Sequence, residues 1–156
     1  MGLYKLLDEL NISYKEVVHP AVYTISEAEQ LHIGLPGTEV KNLFLRDKKG
    51  KGKYYLYCLP AHKRADLKGL RSKIGSGALT FASEGDLYEK MGLTPGSVTP
   101  LGLINNTERD IVLLIDRELD GEIVLVHPNI NTKTMSITMD DILRVARYIG
   151  VKIIFV

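Results

Sequence analysis

The chain has 156 residues, 45% hydrophobic and 25% charged, the balance of one ordinary globular domain spanning 1–156. No window approaches the roughly 20 apolar residues that a bilayer span demands, and Met1–Leu10 carries Lys5, Asp8 and Glu9 where a signal peptide needs an apolar run. A cytoplasmic protein without membrane contact is expected. Cys58 is the sole cysteine, which excludes an intramolecular disulfide, and the four histidines lack ligand spacing, so neither a metal nor another cofactor is expected.

The net charge of +1 hides an asymmetry. Residues 41–73 hold eleven Lys and Arg against Asp47 and Asp66, a local +9, while the remainder sums to −8. Solvated turns and helix faces can produce such a run, but it also suits a polyanion.

In chain order, Leu3, Leu6, Leu7 and Leu10 form one apolar helical stripe that Asn11 ends. Ser13–Val18 reads as a strand stopped by Pro20, and Thr24-Ile25-Ser26-Glu27 has the form of a capping box opening a second helix to about Ile33, with Gly34 as its cap. Val40–Arg46 and Tyr54–Leu59 read as a hairpin with a basic tip, closed by Pro60. Asp66–Ile74 suits a helix with a basic outer face, broken by Gly75–Gly77. Leu79–Ala82 is a short strand, and Ser83 caps a helix that runs to Met91 and stops at Gly92. Leu101–Ile104, Ile111–Asp116 and Glu122–Val126 read as a three-stranded meander. Met135–Ile137 leads to a helix capped by Thr138, with Ile142, Val145, Ala146 and Ile149 on its core face, and Val151–Val156 is a last strand. About eight strands and five helices without regular βαβ alternation predict a single α+β domain on a mixed, strongly curved sheet.

No P-loop, GxGxxG, GxSxG elbow or HExxH is present. Three segments stand out. Lys41-Asn42 heads an apolar strand; it is either the solvated end of a sheet or a fixed cation beside a directional donor for a phosphate or carbonyl oxygen. Gly96-Ser97-Val98-Thr99-Pro100 is either a tight turn or a loop that presents backbone groups to an aminoacyl moiety and its oxyanion. His127 follows an apolar strand and precedes Pro128, a place for either a structural ring or a hydrogen bond to substrate or water. His19, His32 and His62 read as surface or capping residues, and Cys58 as buried and inert.

Together with Leu43-Phe44-Leu45, Tyr54-Tyr55-Leu56, Leu79–Ser83, Leu101 and Asn131-Thr132, these segments resemble the YbaK and prolyl-tRNA-synthetase-associated editing family over nearly the whole chain. The likeness is to its freestanding PrdX/ProX branch of alanyl-tRNA(Pro) deacylases. It implies a YbaK-like fold and trans-editing of mischarged tRNA(Pro), with prolyl-tRNA synthetase as a further candidate partner. A synthetase pocket discriminates by only about 1–3 kcal/mol per methylene, so a second, hydrolytic site removes the smaller amino acid. On this resemblance Lys41 and His127 act at the ester. Asn42 and the Gly96, Ser97, Val98, Thr99 and Pro100 loop position the substrate, and a terminal ribose hydroxyl assists the water. Lys48, Lys49, Lys51, Lys53, Lys63, Arg64, Lys68, Arg71 and Lys73 then bind the tRNA backbone. A cysteinyl-tRNA(Pro) deacylase and a non-catalytic tRNA- or amino-acid-binding module are the alternatives.

Overall fold

Strand alternation sets out the centre of the molecule. In the computed structural model, which describes residues 2–24, 26–27, 34–50 and 52–156, β2 (Thr38–Asp47) pairs antiparallel with β3 (Tyr54–Pro60), Lys41 opposite Leu59 and Phe44 opposite Leu56. β3 runs parallel to β5 (Ile111–Ile115), which runs parallel to β8 (Ile153–Phe155). On its other edge β2 pairs parallel with β6 (Ile123–Val126), but only through Thr38 and Glu39. β7 (Lys133–Thr138) and β1 (Lys15–Val18) continue that side, both antiparallel. β4 (Leu79–Phe81) joins β2 antiparallel at Leu45–Asp47. The sheet has eight strands in the order β1-β7-β6-β2-β3-β5-β8, with β4 beside β2, and does not close into a barrel.

Because successive strand side chains point to opposite faces, Leu56, Cys58, Leu113 and Ile115 serve one core while Tyr55, Tyr57, Leu59 and Leu114 serve another. The larger core is covered by α1 (Leu3–Glu9), α3 (Glu84–Met91), α4 (Met139–Tyr148) and a 3₁₀ helix, Pro100–Asn105. The smaller is covered by α2 (Leu67–Ile74) through Leu70. Each leucine fully buried in these cores contributes about 1.5–3 kcal/mol. The Ser83 and Thr138 caps are those read from the sequence, and Asp66, read as the first residue of its helix, is a third cap. Asp66, Ser83 and Thr138 accept the backbone N–H of Gly69, Asp86 and Asp141 at 3.0, 3.0 and 3.1 Å.

Two expectations need correction. Leu101–Ile104 is not a strand but the body of the 3₁₀ helix: Pro100 stands at its start and the Thr99 hydroxyl accepts Leu101 N–H at 3.3 Å. Nor is there a meander. Asp116 caps a short 3₁₀ turn, Arg117–Leu119, after which the chain leaves β5 and returns as β6 between β2 and β7. Of the second helix, the cap is described: the Thr24 hydroxyl accepts Glu27 N–H at 3.1 Å. The rest of that helix, with His32, lies outside the described residues, as does Lys51.

Candidate active site

The cavity arises where the sheet parts. β2 leaves β6 after Glu39 and meets β4 only at Leu45. On that edge Val40, Lys41 and Asn42 have no strand beside them among the described residues, and they line a cavity of about 240 Å3. Gly96 and Val98, the end of β6 with His127, Thr134 of β7 and the segment Val22–Thr24 complete it, together with Glu39. Thus Lys41, Asn42, Gly96, Val98 and His127, remote in sequence, meet around one small space.

Each is held by identifiable contacts. The Asn42 amide donates to the Val98 carbonyl at 3.3 Å, tying β2 to the loop, while Asn42 Oδ1 is closed to solvent and has no partner among the described residues. Lys41 has no carboxylate within 4.0 Å of its ammonium among the described residues, so its charge is available to a ligand. His127 Nδ1 lies 2.8 Å from the Lys133 carbonyl, which can only accept, so the proton is on Nδ1 and Nε2 is a bare acceptor. Burial pushes the His127 pKa below its ordinary value, outweighing the bond to Lys133, and the nearby His19 adds to the depression.

Three members of the loop are occupied by the loop itself. Ser97 is buried, its hydroxyl donating to the Thr94 carbonyl at 2.8 Å and its N–H to the same carbonyl at 3.1 Å. Thr99 and Pro100 are buried at the start of the 3₁₀ helix. None of the three lines the cavity, whereas Gly96 and Val98 do. Gly96 is required there: its φ is +92°, and a Cβ would come within 2.8 Å of the Tyr23 ring.

The segment Val22–Thr24 adds a wall to the cavity that its residue types do not announce. His19 is not a detached surface ring: its Nε2 lies 2.7 Å from the Thr134 hydroxyl and its ring centre 6.2 Å from that of His127. Val22 exchanges hydrogen bonds with Asn131: its N–H donates to the Asn131 carbonyl at 3.3 Å, and its carbonyl accepts from the Asn131 side-chain amide at 3.2 Å. His19-Pro20 was the available signal, since it mirrors His127-Pro128 in form. Cys58 is fully buried and its thiol is pushed up to about 12 by desolvation, so it offers no nucleophile.

The exposed basic residues run from the β2–β3 tip along α2, whose C-terminal end meets the far end of β2. Lys48, Lys49 and Lys53 are exposed on the β2–β3 tip, and Lys68, Arg71 and Lys73 are exposed on α2, with Arg64 just before it. Asp47 joins the two: its carboxylate accepts the N–H of Lys49 at 2.9 Å and of Gly50 at 3.2 Å within the tip, and of Gly77 at 2.8 Å beyond α2. Lys63 is differently placed, its ammonium bound to the buried Asp116 carboxylate at 2.8 Å.

Comparison with known proteins agrees with this architecture. The family model for the aminoacyl-tRNA editing domain matches residues 19–145. The chain is 41% identical over 145 residues to the prolyl-tRNA editing protein ProX of Acetoanaerobium sticklandii, covering 92% of this chain and 88% of that protein. It is 38% identical to prolyl-tRNA synthetase associated domain-containing protein 1 of Danio rerio, covering 91% and 78%. A stretch of 107 residues is 29% identical to the proline--tRNA ligase of Thermosipho melanesiensis, covering 67% of this chain and 18% of that enzyme. The fold is shared with hypothetical protein APE2540, at a TM-score of 0.73, 20% identity and coverage of 97% and 95%. It is shared too with a candidate trans-editing enzyme for prolyl tRNA synthetase, at 0.67, 23%, 91% and 85%. The chain belongs to the aminoacyl-tRNA editing domain family.

Proposed function

We propose that this chain hydrolyses the ester of mischarged tRNA(Pro), with alanyl-tRNA(Pro) as its preferred substrate. The observation that carries the reading is the meeting of Lys41, Asn42, Gly96, Val98 and His127 around one cavity of about 240 Å3. Its apolar wall of Val22, Val40, Val98 and Val126 suits a small side chain, and the Lys41 ammonium, without a carboxylate partner among the described residues, suits an ester carbonyl or the terminal phosphate. The relatives named for prolyl-tRNA editing, and the similarity to part of a proline--tRNA ligase, support the choice of tRNA.

In this reading Lys41 stabilises the charge that grows on the carbonyl oxygen, and His127 Nε2 accepts a hydrogen bond from the substrate or the attacking water. Asn42 holds the Val98 side of the wall in register with Lys41. A ribose hydroxyl of the substrate orients the water, so positioning and electrostatics suffice without a protein nucleophile. The basic tip and α2 receive the acceptor stem.

The test is hydrolysis of Ala-, Cys-, Ser- and Pro-tRNA(Pro) by the native protein and by Lys41→Ala. Alanyl ester should be cleaved fastest and prolyl ester spared, and the variant should lose about 10²–10³ in rate. Preferential cleavage of the cysteinyl ester would transfer the assignment to a thiol side chain. Binding of charged tRNA without any acceleration would leave a non-catalytic module.

A further inference from the structure

The cavity wall built by β6 and β7 offers hydrogen-bond acceptors. The register that sets Val126 opposite Met135 places His127, one step on, across from Thr134 and on the same face. His19 Nδ1 lies 2.7 Å from the Pro20 carbonyl, so it carries the proton of the neutral ring. Its Nε2 is then an acceptor, and the Thr134 hydroxyl, 2.7 Å away, donates to it. With its proton committed to His19, Thr134 Oγ1 has lone pairs alone to offer a ligand in the cavity. His127 Nε2 does likewise, because Nδ1–H is spent on Lys133. Both residues line the space that also holds Lys41.

We infer that Thr134 Oγ1 and His127 Nε2 together recognise the free α-ammonium of the aminoacyl ester, with His19 as the positioning residue that fixes the direction of the Thr134 hydroxyl. The inference rests on the deacylase reading and adds a substrate rule to it: esters with a free amine are accepted, and N-acylated esters such as peptidyl-tRNA are refused. An ammonium brings charge and at least two N–H donors for two acceptors, whereas an acylated nitrogen is neutral, keeps one N–H and adds bulk. A secondary ammonium still has two N–H groups. This wall therefore separates free from blocked amines, and the sorting of alanine from proline falls to the apolar side of the cavity.

The experiment compares alanyl-tRNA(Pro) with N-acetylalanyl-tRNA(Pro), each rate divided by enzyme-free hydrolysis in the same buffer. The native protein should accelerate the first far more than the second. Thr134→Val should lower acceleration of the free-amine substrate by about 10- to 100-fold and leave the blocked one unchanged, so that discrimination collapses. Thr134→Ser should retain it, and His19→Ala should narrow it with the fold intact by circular dichroism. Equal acceleration of both substrates by the native protein, or discrimination that survives in Thr134→Val, overturns the inference. So does an equal loss on both substrates in that variant, which would instead point to attack by the hydroxyl itself. Binding of 3′-alanylamido-adenosine and of its N-acetyl derivative, read by calorimetry, separates the two levels. A preference for the free amine without any hydrolysis would refute the deacylase reading alone, and equal binding, or none of either, refutes the acceptor wall.

Discussion

The Asp47 carboxylate is seated directly on Gly77: Oδ2 accepts the Gly77 N–H at 2.8 Å, and a Cβ at Gly77 would stand 2.4 Å from Oδ1. The basic tip and the end of α2 are thereby locked together at a point where no side chain fits.

Gly77→Ala should push the carboxylate off its donors and cost about 1–3 kcal/mol. Equilibrium denaturation measures this. tRNA affinity should fall in parallel, because Lys48 and Lys53 lose their fixed relation to Arg71 and Lys73. Unchanged stability would show that the tip accommodates a methyl group.

The backbone N–H groups of Lys49 and Gly77 hold the Asp47 carboxyl below the usual carboxylate range. A depressed acid contributes stability that is present above its unfolded value and is lost as pH falls through its folded value. Melting temperature followed from pH 6 downwards should therefore drop less steeply in Asp47→Asn than in the native chain. Parallel curves would remove the carboxylate from the account of acid unfolding.

His127 titrates below its ordinary value of 6.5, because burial disfavours the imidazolium. Its Nε2 acceptor is thus present at neutral pH, and ester hydrolysis should decline only as acidification protonates the ring. An NMR titration of the His127 ring should give a midpoint under 6.5, and the rate profile should track it. A midpoint above that value would contradict the acceptor role.

Gly96→Ala forces a side chain into the left-handed region at a cost of about 1–2 kcal/mol and drives the Tyr23 ring outward. Its signature should be a rise in KM with modest loss of melting temperature. Wild-type kinetics would mean that the mouth of the cavity is not set by this contact.

Lys63 and the tip lysines should separate in a salt series. Neutralising Lys48, Lys49 and Lys53 together should flatten the dependence of tRNA binding on salt by about three phosphate contacts at most. Lys63→Ala should leave that slope unchanged while destabilising the fold, since its ammonium already serves Asp116.

Local chemistry was readable wherever it was self-contained. The Ser83 and Thr138 caps satisfy donors three residues away, and the β-rich composition of Tyr54–Leu59 shows in the residues themselves. Leu101–Ile104 misled because three apolar residues and a glycine are too short a run to set a period, and the decisive contact is the Thr99 hydroxyl beside them. The parallel pairing of β3 with β5 joins Tyr54 to Ile111, a partnership that no nearby residue announces. The same limit governs the site. Lys41, Asn42 and His127 drew notice as polar residues at the ends of apolar strands, and the family resemblance grouped them. His19 did not, since its partner Thr134 lies 115 positions away. The glycine-to-proline loop was recognisable as a unit, but which of its side chains turn inward depends on packing.

β2 is one unbroken strand that carries Lys41 near its start and Asp47 at its end. Six residues of extended chain fix these points roughly 20 Å apart. Flanked by β3 along most of its length, the strand cannot shorten or bend freely to suit its cargo. With the acceptor stem on the tip, as proposed, it works as a calliper: a ligand that fills the cavity but falls short of the lysine-rich tip forgoes the contacts made there. On that proposal free amino acids and their simple esters are held more weakly than charged tRNA, by reach alone and without any gate.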